Sequence, residues 1–301
     1  MKNNKKNNTT ETVMMNQTKA GKVFDCFNYI FFFVMSLIML APLLYVFIGS
    51  FSSTGFANLN FGKFSAEAYR QILASKKVTG ALLNSILITL VGTALRMAAT
   101  SAAAYALSKS ILPGRKFLMK VVVFFMLFWI GMIPDYILEA NVYHLKNTYW
   151  VYWLKGLISS SNLIIMINFF KDLPAGVEES AYIDGCNDLQ TFVKIALPMS
   201  KAAIATFSLF YAVDLWNDYL KAIIYIDDSS MWPITVWLRQ FIVLAQGTVL
   251  ENASYRSTDA WLPTNAVKFA TITISVIPIL MIYPFVQKHF SKGVMIGAIK
   301  G

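Results

Sequence analysis

Lys171-Asp-Leu-Pro-Ala-Gly-Val-Glu-Glu-Ser-Ala-Tyr-Ile-Asp-Gly-Cys-Asn-Asp-Leu-Gln-Thr-Phe-Val-Lys-Ile-Ala-Leu-Pro198 is a polar connection between two apolar runs, 148–170 and 199–226. It does not read as a loose loop. Pro174 suits a first helical turn, Glu178 and Glu179 lie near the favourable N-terminal dipole, and Gly185 can take the left-handed conformation that ends a helix. The pattern predicts a short helix over roughly 174–184. Asn187 then offers a cap with Gln190 three residues on, ahead of the apolar Leu189, Phe192 and Val193. Helix, sharp glycine turn and second helix are therefore expected. In the first helix Val177, Ala181 and Asp184 fall at three-to-four spacing, with Glu178 and Tyr182 on a neighbouring stripe. Small residues beside an aromatic suit a partner's groove. A connector packed against its own spans would show the same pattern.

Outward from this stretch the chain is apolar. Of its 301 residues 56% are hydrophobic and 14% charged, with a mean hydropathy of +0.54, too apolar for a water-soluble domain of this length. A bilayer core needs about 20 apolar residues of helix, and that ruler picks out 27–50, 81–107, 117–139, 148–170, 199–226 and 267–289. The predicted class is an all-α integral membrane protein with six transmembrane helices. The fourth run is interrupted by Lys155, Gly156 and Ser159-Ser160-Ser161. The first run has no small-residue cleavage signature after it and is expected to stay as an anchor. Residues 1–20, rich in Asn, Lys and Thr, read as a mobile tail. Residues 21–290 form the membrane body, and 291–301 a second tail.

Positive residues are retained on the cytoplasmic side. One set of connections holds Lys2, Lys5, Lys6, Lys19, Lys22, Lys109, Arg115, Lys116, Lys120, Lys171, Lys194, Lys201, Lys288, Lys292 and Lys300. The other holds Lys63, Arg70, Lys76, Lys77, Lys146, Arg239, Arg256 and Lys268, mostly in longer loops. Both termini and the 171–201 connection are thus expected in the cytoplasm. The net charge of +10 is spread between apolar runs rather than gathered in one stripe, which argues for topology signals and against nucleic acid.

Catalytic and metal chemistry find no support. Cys26 and Cys186 lack metal or disulfide-framework spacing, and His144 and His289 stand apart from any such cluster. No Gly-x-x-x-x-Gly-Lys-[Ser/Thr] loop is present to cradle ATP. There is also no Gly-x-Ser-x-Gly elbow.

Glu179-Ser-Ala-Tyr-Ile-Asp-Gly-Cys186, followed by Phe192, Ile195, Leu197 and Pro198, resembles the Glu-Ala-Ala-x-x-x-Gly loop of binding-protein-dependent ABC importer permeases, in the Asp-Gly form of carbohydrate importers. Ser180 and Cys186 replace the usual alanines. Trp216-Asn217-Asp218-Tyr219 and the tail Lys292-Gly-Val-Met-Ile-Gly-Ala-Ile-Lys-Gly301 extend the resemblance, the tail toward the smaller permease of maltose-type importers and the complex-oligosaccharide subgroup.

The resemblance implies a coupling helix between spans four and five that inserts into a separate cytoplasmic ATPase. Glu178 and Glu179 would serve ATPase contact, Ala181, Tyr182 and Asp184 would fill or line its groove, and Gly185 would make the turn. It implies a homologous second permease subunit, two ATPase subunits using ATP and Mg, an extracytoplasmic solute-binding protein and an oligosaccharide substrate. The setting would be a bacterial plasma membrane. This chain would carry no cofactor or metal and no catalytic residue.

Charges within spans default to pairing or pathway roles because each costs roughly 2.5–3.5 kcal/mol at the bilayer centre. Asp214 and Asp218 lie four residues apart and Lys221 three beyond, so an Asp218–Lys221 pair is available. The alternative puts Asp214, Trp216 and Asn217 at a polar cavity, although helical spacing turns the latter two away from Asp214. Arg96, about 16 Å into its span, is expected to face protein, by snorkelling or by pairing with Asp214 or a partner. Lys155 is expected to snorkel.

Trp129-Ile-Gly-Met-Ile-Pro-Asp-Tyr136 reads as an interrupted helix open to a cavity, with Trp129 and Tyr136 on the substrate pathway and Asp135 and Glu139 nearby. Trp150, Tyr152 and Trp153 suit an interfacial belt. The 227–266 loop, with Trp232, Pro233, Trp237, Trp261 and Pro263, is expected to form a lid or an interfacial helix in part. The rival reading is a proton-coupled secondary sugar transporter relaying protons through Asp135, Glu139, Asp214 or Asp218. A third class, a membrane enzyme, has no cluster to support it.

Overall fold

The computed structural model describes residues 19–53, 62–128, 130–245 and 265–298. In chain order the helices are α1 Lys19–Gly49, α2 Glu67–Ala74, α3 Lys76–Ser108, α4 Arg115–Leu127, α5 Met132–Ile137, α6 Trp150–Leu154, α7 Ser160–Lys171, α8 Ala175–Ile183, α9 Asp188–Thr191, α10 Leu197–Met199, α11 Lys201–Asn217, α12 Tyr219–Tyr225, α13 Ile234–Ala245 and α14 Asn265–Ala298. Wider helical turns prolong α5 through Leu138–Val142 and join α9 to α10 through Phe192–Ala196. Among the described residues extended pairing is limited to an isolated antiparallel bridge, Ser52 to Phe64.

The chain divides into two units, one ending at Ile48 and the other starting at Gly49. In the first, α1 is apolar on all sides beyond its first turns, which carry Lys19, Lys22, Asp25 and Asn28, and its most apolar stretch buries no residue. A helix of that kind suits lipid or another protein's surface rather than water.

In the second unit α3 is the central rod, packed most extensively on α11 and α7. Its 33 residues reach about 50 Å, enough to cross a bilayer. The buried positions Val78, Ala81, Ser85, Ile88, Gly92, Arg96, Thr100 and Ala104 recur every three or four residues and are mostly small. Small residues let neighbouring backbones approach without needing a hydrophobic drive inside lipid. Leu83, Leu87 and Leu90 lie exposed on the opposite face.

Three clusters are strung along α3. Val78 and Ala81 pack with Ile72, Trp216, Ile234 and Val267. Ile88 packs with Val151, Tyr152, Leu215, Tyr225 and Trp232. Met97, Ala104 and Tyr105 pack with Met166, Phe170, Phe207 and Tyr211.

The tightest point is Gly92, where an added Cβ would lie 2.6 Å from Leu215 Cδ1 and 3.3 Å from Trp153 Cδ1. Leu215 is itself buried and has little room to retreat. Gly92→Val is expected to destabilise the bundle by about 1–3 kcal/mol through overpacking, read as a lower unfolding temperature in detergent. An unchanged unfolding temperature would show that the α3–α11 contact is loose.

The sequence-derived spans are only partly continuous. Among the described residues α1, α3 and α14 each contain a helix long and apolar enough to cross a membrane, and counting each bent pair as one span raises the number to five. The 117–139 run divides into α4 and the α5 segment, whose axes differ by 116°. Gly131, at φ +91°, precedes α5 with Pro134 in its first turn, so no straight helix passes here. Trp129 lies outside the described residues.

The 148–170 run breaks between α6 and α7, where Gly156 takes φ +72°. The 12 residues of α7 reach only about 18 Å. At 199–226, Asp218 ends α11 and caps α12 by accepting from the Lys221 amide. The segment of α9 and α10 meets α11 at 83°.

Two aromatic expectations also change. Tyr152 is fully buried and Trp232 nearly so, because both plug the α3–α12 cluster, whereas Trp150 remains exposed. The long 227–266 loop contains α13, anchored where the Ile234 amide donates to Ser85 Oγ at 2.8 Å. Its Trp261 and Pro263 lie outside the described residues.

Candidate functional site

Helices α8 and α9 form the turn that the sequence pattern indicates, with Pro174 as the residue before the helix rather than within it. Gly185 has φ +81°, a conformation open to glycine at little cost. Its amide donates to Tyr182 O at 3.1 Å, and the Cys186 amide donates to Ala181 O at 2.9 Å. These paired bonds are the Schellman closure of a helix end. Asn187 then starts α9 with a full capping box: Asn187 Oδ1 accepts from the Gln190 amide at 2.8 Å, and Gln190 Oε1 accepts from the Asn187 amide at 3.1 Å. Two reciprocal caps around one glycine make a stiff corner.

The faces of that corner differ. Glu179, Tyr182, Ile183, Asp184 and Gly185 are exposed, with Ile183 at 86%, and Leu189 projects at 69%. Tyr182 Oη donates to Asp188 Oδ1 at 2.7 Å, tying α8 to α9. That bond, aided by burial, pushes the Tyr182 hydroxyl well above its usual range, so it stays a neutral donor. Ala181 is turned inward and buried, which leaves it unable to line another protein's groove directly. Glu178 also points inward, where its carboxylate pairs with Lys109 at the end of α3. Ile183 escaped the sequence reading and Leu189 was read only as part of an apolar face with Phe192 and Val193, because apolar residues beside a turn signal a core as readily as an exposed face. Lys109 escaped it because 69 positions separate it from Glu178.

A second polar constellation crosses the bundle. Arg96 Nη1 donates to Asp214 Oδ2 at 2.6 Å and Nη2 to the Lys155 carbonyl at 3.2 Å, while Nε is buried without a partner. The guanidinium carbon lies 5.8 Å from the centre of the Tyr211 ring. The Arg96 side chain is only 3% exposed, whereas that of Asp214 is 64% exposed. The cation is therefore embedded and its counter-ion stands at the surface.

Lys155 does not snorkel. Its ammonium pairs with Asp135, donates to Tyr225 Oη at 2.6 Å and lies 4.6 Å from the Tyr225 ring centre. The helix break at Gly156 leaves the Lys155 carbonyl open to Arg96. Lys221 Nζ and Asp218 pair at 2.8 Å.

The expected pathway residues do not converge. Asp214 and Asn217 are exposed, and the Asn217 amide folds back to Val213 O at 2.9 Å. Tyr136 is half-buried, its ring centre 5.4 Å from that of Tyr225. Trp216 is buried between α11 and α14, its indole donating to Ser275 O at 3.1 Å, so its large ring serves packing rather than a pathway wall. Among the described residues no group of three or more His, Cys, Asp or Glu is placed to hold a metal ion.

The comparisons with known proteins agree with one another. Residues 114–296 match the family described as "Binding-protein-dependent transport system inner membrane component". Protein LplC of Bacillus subtilis (strain 168) is 42% identical over 292 residues, covering 95% of this chain and 98% of that one. The polygalacturonan/rhamnogalacturonan transport system permease protein YtcP of the same strain is 42% identical over 286 residues, covering 93% and 99%. Among solved structures, a bacterial ABC transporter involved in the import of the acidic polysaccharide alginate superposes with a TM-score of 0.80 at 29% identity, over 91% of this chain and 98% of that one. On the length of the matched region and of these shared alignments, the chain belongs to the binding-protein-dependent transport system inner membrane components, a family of permease subunits and not of enzymes.

Proposed function

We propose that the chain is one of two permease subunits of an ATP-driven importer, forming half of the pathway for an oligosaccharide that an extracytoplasmic solute-binding protein delivers. The observation that carries this reading is the doubly capped corner at Gly185, which holds Glu179, Tyr182, Ile183 and Asp184 outward on a stiff mount. A loose loop would dissipate a push, whereas a capped helix transmits it. The corner docks in a cleft of a cytoplasmic ATPase subunit that binds ATP and Mg, while this chain binds no cofactor. Tyr182, Ile183 and Leu189 supply the apolar knob, and Glu179 and Asp184 the polar rim.

Six crossings are formed by α1, α3, α4 with α5, α6 with α7, α11 with α12, and α14. The distribution of Lys and Arg supports cytoplasmic termini on both tails, 1–20 and 291–301. The carbohydrates named for YtcP and for the alginate transporter support a polymeric sugar cargo. Asp214, exposed on α11, offers a carboxylate to sugar hydroxyls. The proton-carrier alternative loses force because three of its four carboxylates, Asp135, Asp214 and Asp218 but not Glu139, are each held by a cation.

The test is reconstitution. Vesicles holding both permeases and both ATPase subunits are expected to accumulate sugar only with ATP and loaded binding protein. A Tyr182→Cys or Ile183→Cys variant is expected to cross-link to the ATPase subunit. Uptake by this chain alone under a proton gradient, with no such cross-link, would overturn the proposal.

A further inference from the structure

The proposed docking corner needs a connection from the force it receives to the spans it moves, and chain continuity leads only to α7 and α11. A third link runs through side chains. Glu178, on the inner face of α8, pairs with Lys109, the residue that follows the last turn of α3. Both are largely enclosed, with side chains 18% and 24% exposed. Lys109 Nζ also lies 4.3 Å from the centre of the Tyr105 ring on α3. That ring packs 5.0 Å from Phe192 and 5.5 Å from Phe170, centre to centre, so the same knuckle touches the stretch after α9 and the end of α7. The second Glu178 oxygen is buried with no hydrogen-bond partner. This carboxylate therefore depends on Lys109 for neutralisation, and a cation cannot be lost here as freely as at an exposed surface pair.

We propose that the Lys109–Glu178 pair is the clamp through which movement of the α8 corner is passed to α3, making both positioning residues for energy coupling. The proposal rests on the reading of α8 as the ATPase-docking helix and assigns what happens behind it. Since α3 is the rod on which all three packing clusters are strung, a displacement delivered at Lys109 reaches the Arg96 layer along one rigid helix. Glu179, one position along, faces outward. Adjacent carboxylates thus divide the work, one gripping the motor and the other the bundle.

The experiment uses the complete reconstituted importer and measures sugar imported per ATP hydrolysed, together with the amount of assembled complex. Lys109→Glu and Glu178→Lys, each alone, are expected to lower that ratio by about tenfold, with ATP hydrolysis continuing. The double swap is expected to restore it to within about threefold, and Lys109→Arg to retain it. A merely structural pair would lower hydrolysis and import together, in proportion to lost complex, and that result would overturn the proposal. An unchanged ratio in both single variants would do the same. The Tyr182→Cys cross-link separates the two levels. Its presence with unaffected single variants rejects the clamp alone, and its absence in the wild-type background rejects the docking on which the clamp depends.

Discussion

Gly185→Pro is expected to abolish uptake while the assembled complex stays in the membrane. The residue has φ +81°, whereas proline is fixed near −65°. Proline also lacks the amide that donates to Tyr182 O. Losing the turn and the bond together costs roughly 3 kcal/mol locally, and the Cys186-to-Ala181 closure cannot form on the altered path. Nothing lies within 4 Å of an added Cβ, so the effect is conformational and not a clash. Gly185→Ala should therefore be milder, paying only the left-handed penalty of about 1–2 kcal/mol, with uptake reduced about tenfold. The damage is confined to an exposed corner, and the amount of complex should hold. Wild-type uptake by Gly185→Pro would reject the role given to the turn.

Asp214→Leu is expected to be the most destabilising single change in the bundle. It strands a guanidinium that is 3% exposed, and breaking a buried pair from one side costs about 3–5 kcal/mol. The reverse change, Arg96→Met, leaves a carboxylate that is 64% exposed and able to be solvated, so it should cost clearly less. The double variant should recover much of the loss, since an apolar pair needs no counter-charge. Thermal unfolding of the purified complex in detergent measures all three. Equal losses for the two single variants would mean that both charges are equally buried in the assembly, against the asymmetry described for this chain.

The corner was legible because its signals are local. Gly185, Asn187 and Gln190 lie within five positions of one another, and spacing alone specifies the glycine turn and the capping box. The helical class was legible from apolar run lengths for the same reason. What hydropathy could not show is where a run breaks. The turns at Gly131 and Gly156 depend on left-handed backbone conformations, and the one at Gly156 is joined by a distant partner, Arg96 on the Lys155 carbonyl. Trp216 and Tyr152 were misplaced because an aromatic in a span suits a core, a belt or a cavity equally well, and only its neighbours decide. Lys155, read as reaching for water, instead found Asp135 and Tyr225 inside the fold. The Arg96–Asp214 pair was among the options the sequence left open, but the unequal exposure of its members was not.

The three clusters on α3 have an evolutionary corollary. Because the core among the described residues is divided into three clusters, substitutions in different clusters should add rather than amplify one another. Sequence change at one end of α3 then leaves the packing at its other end in place.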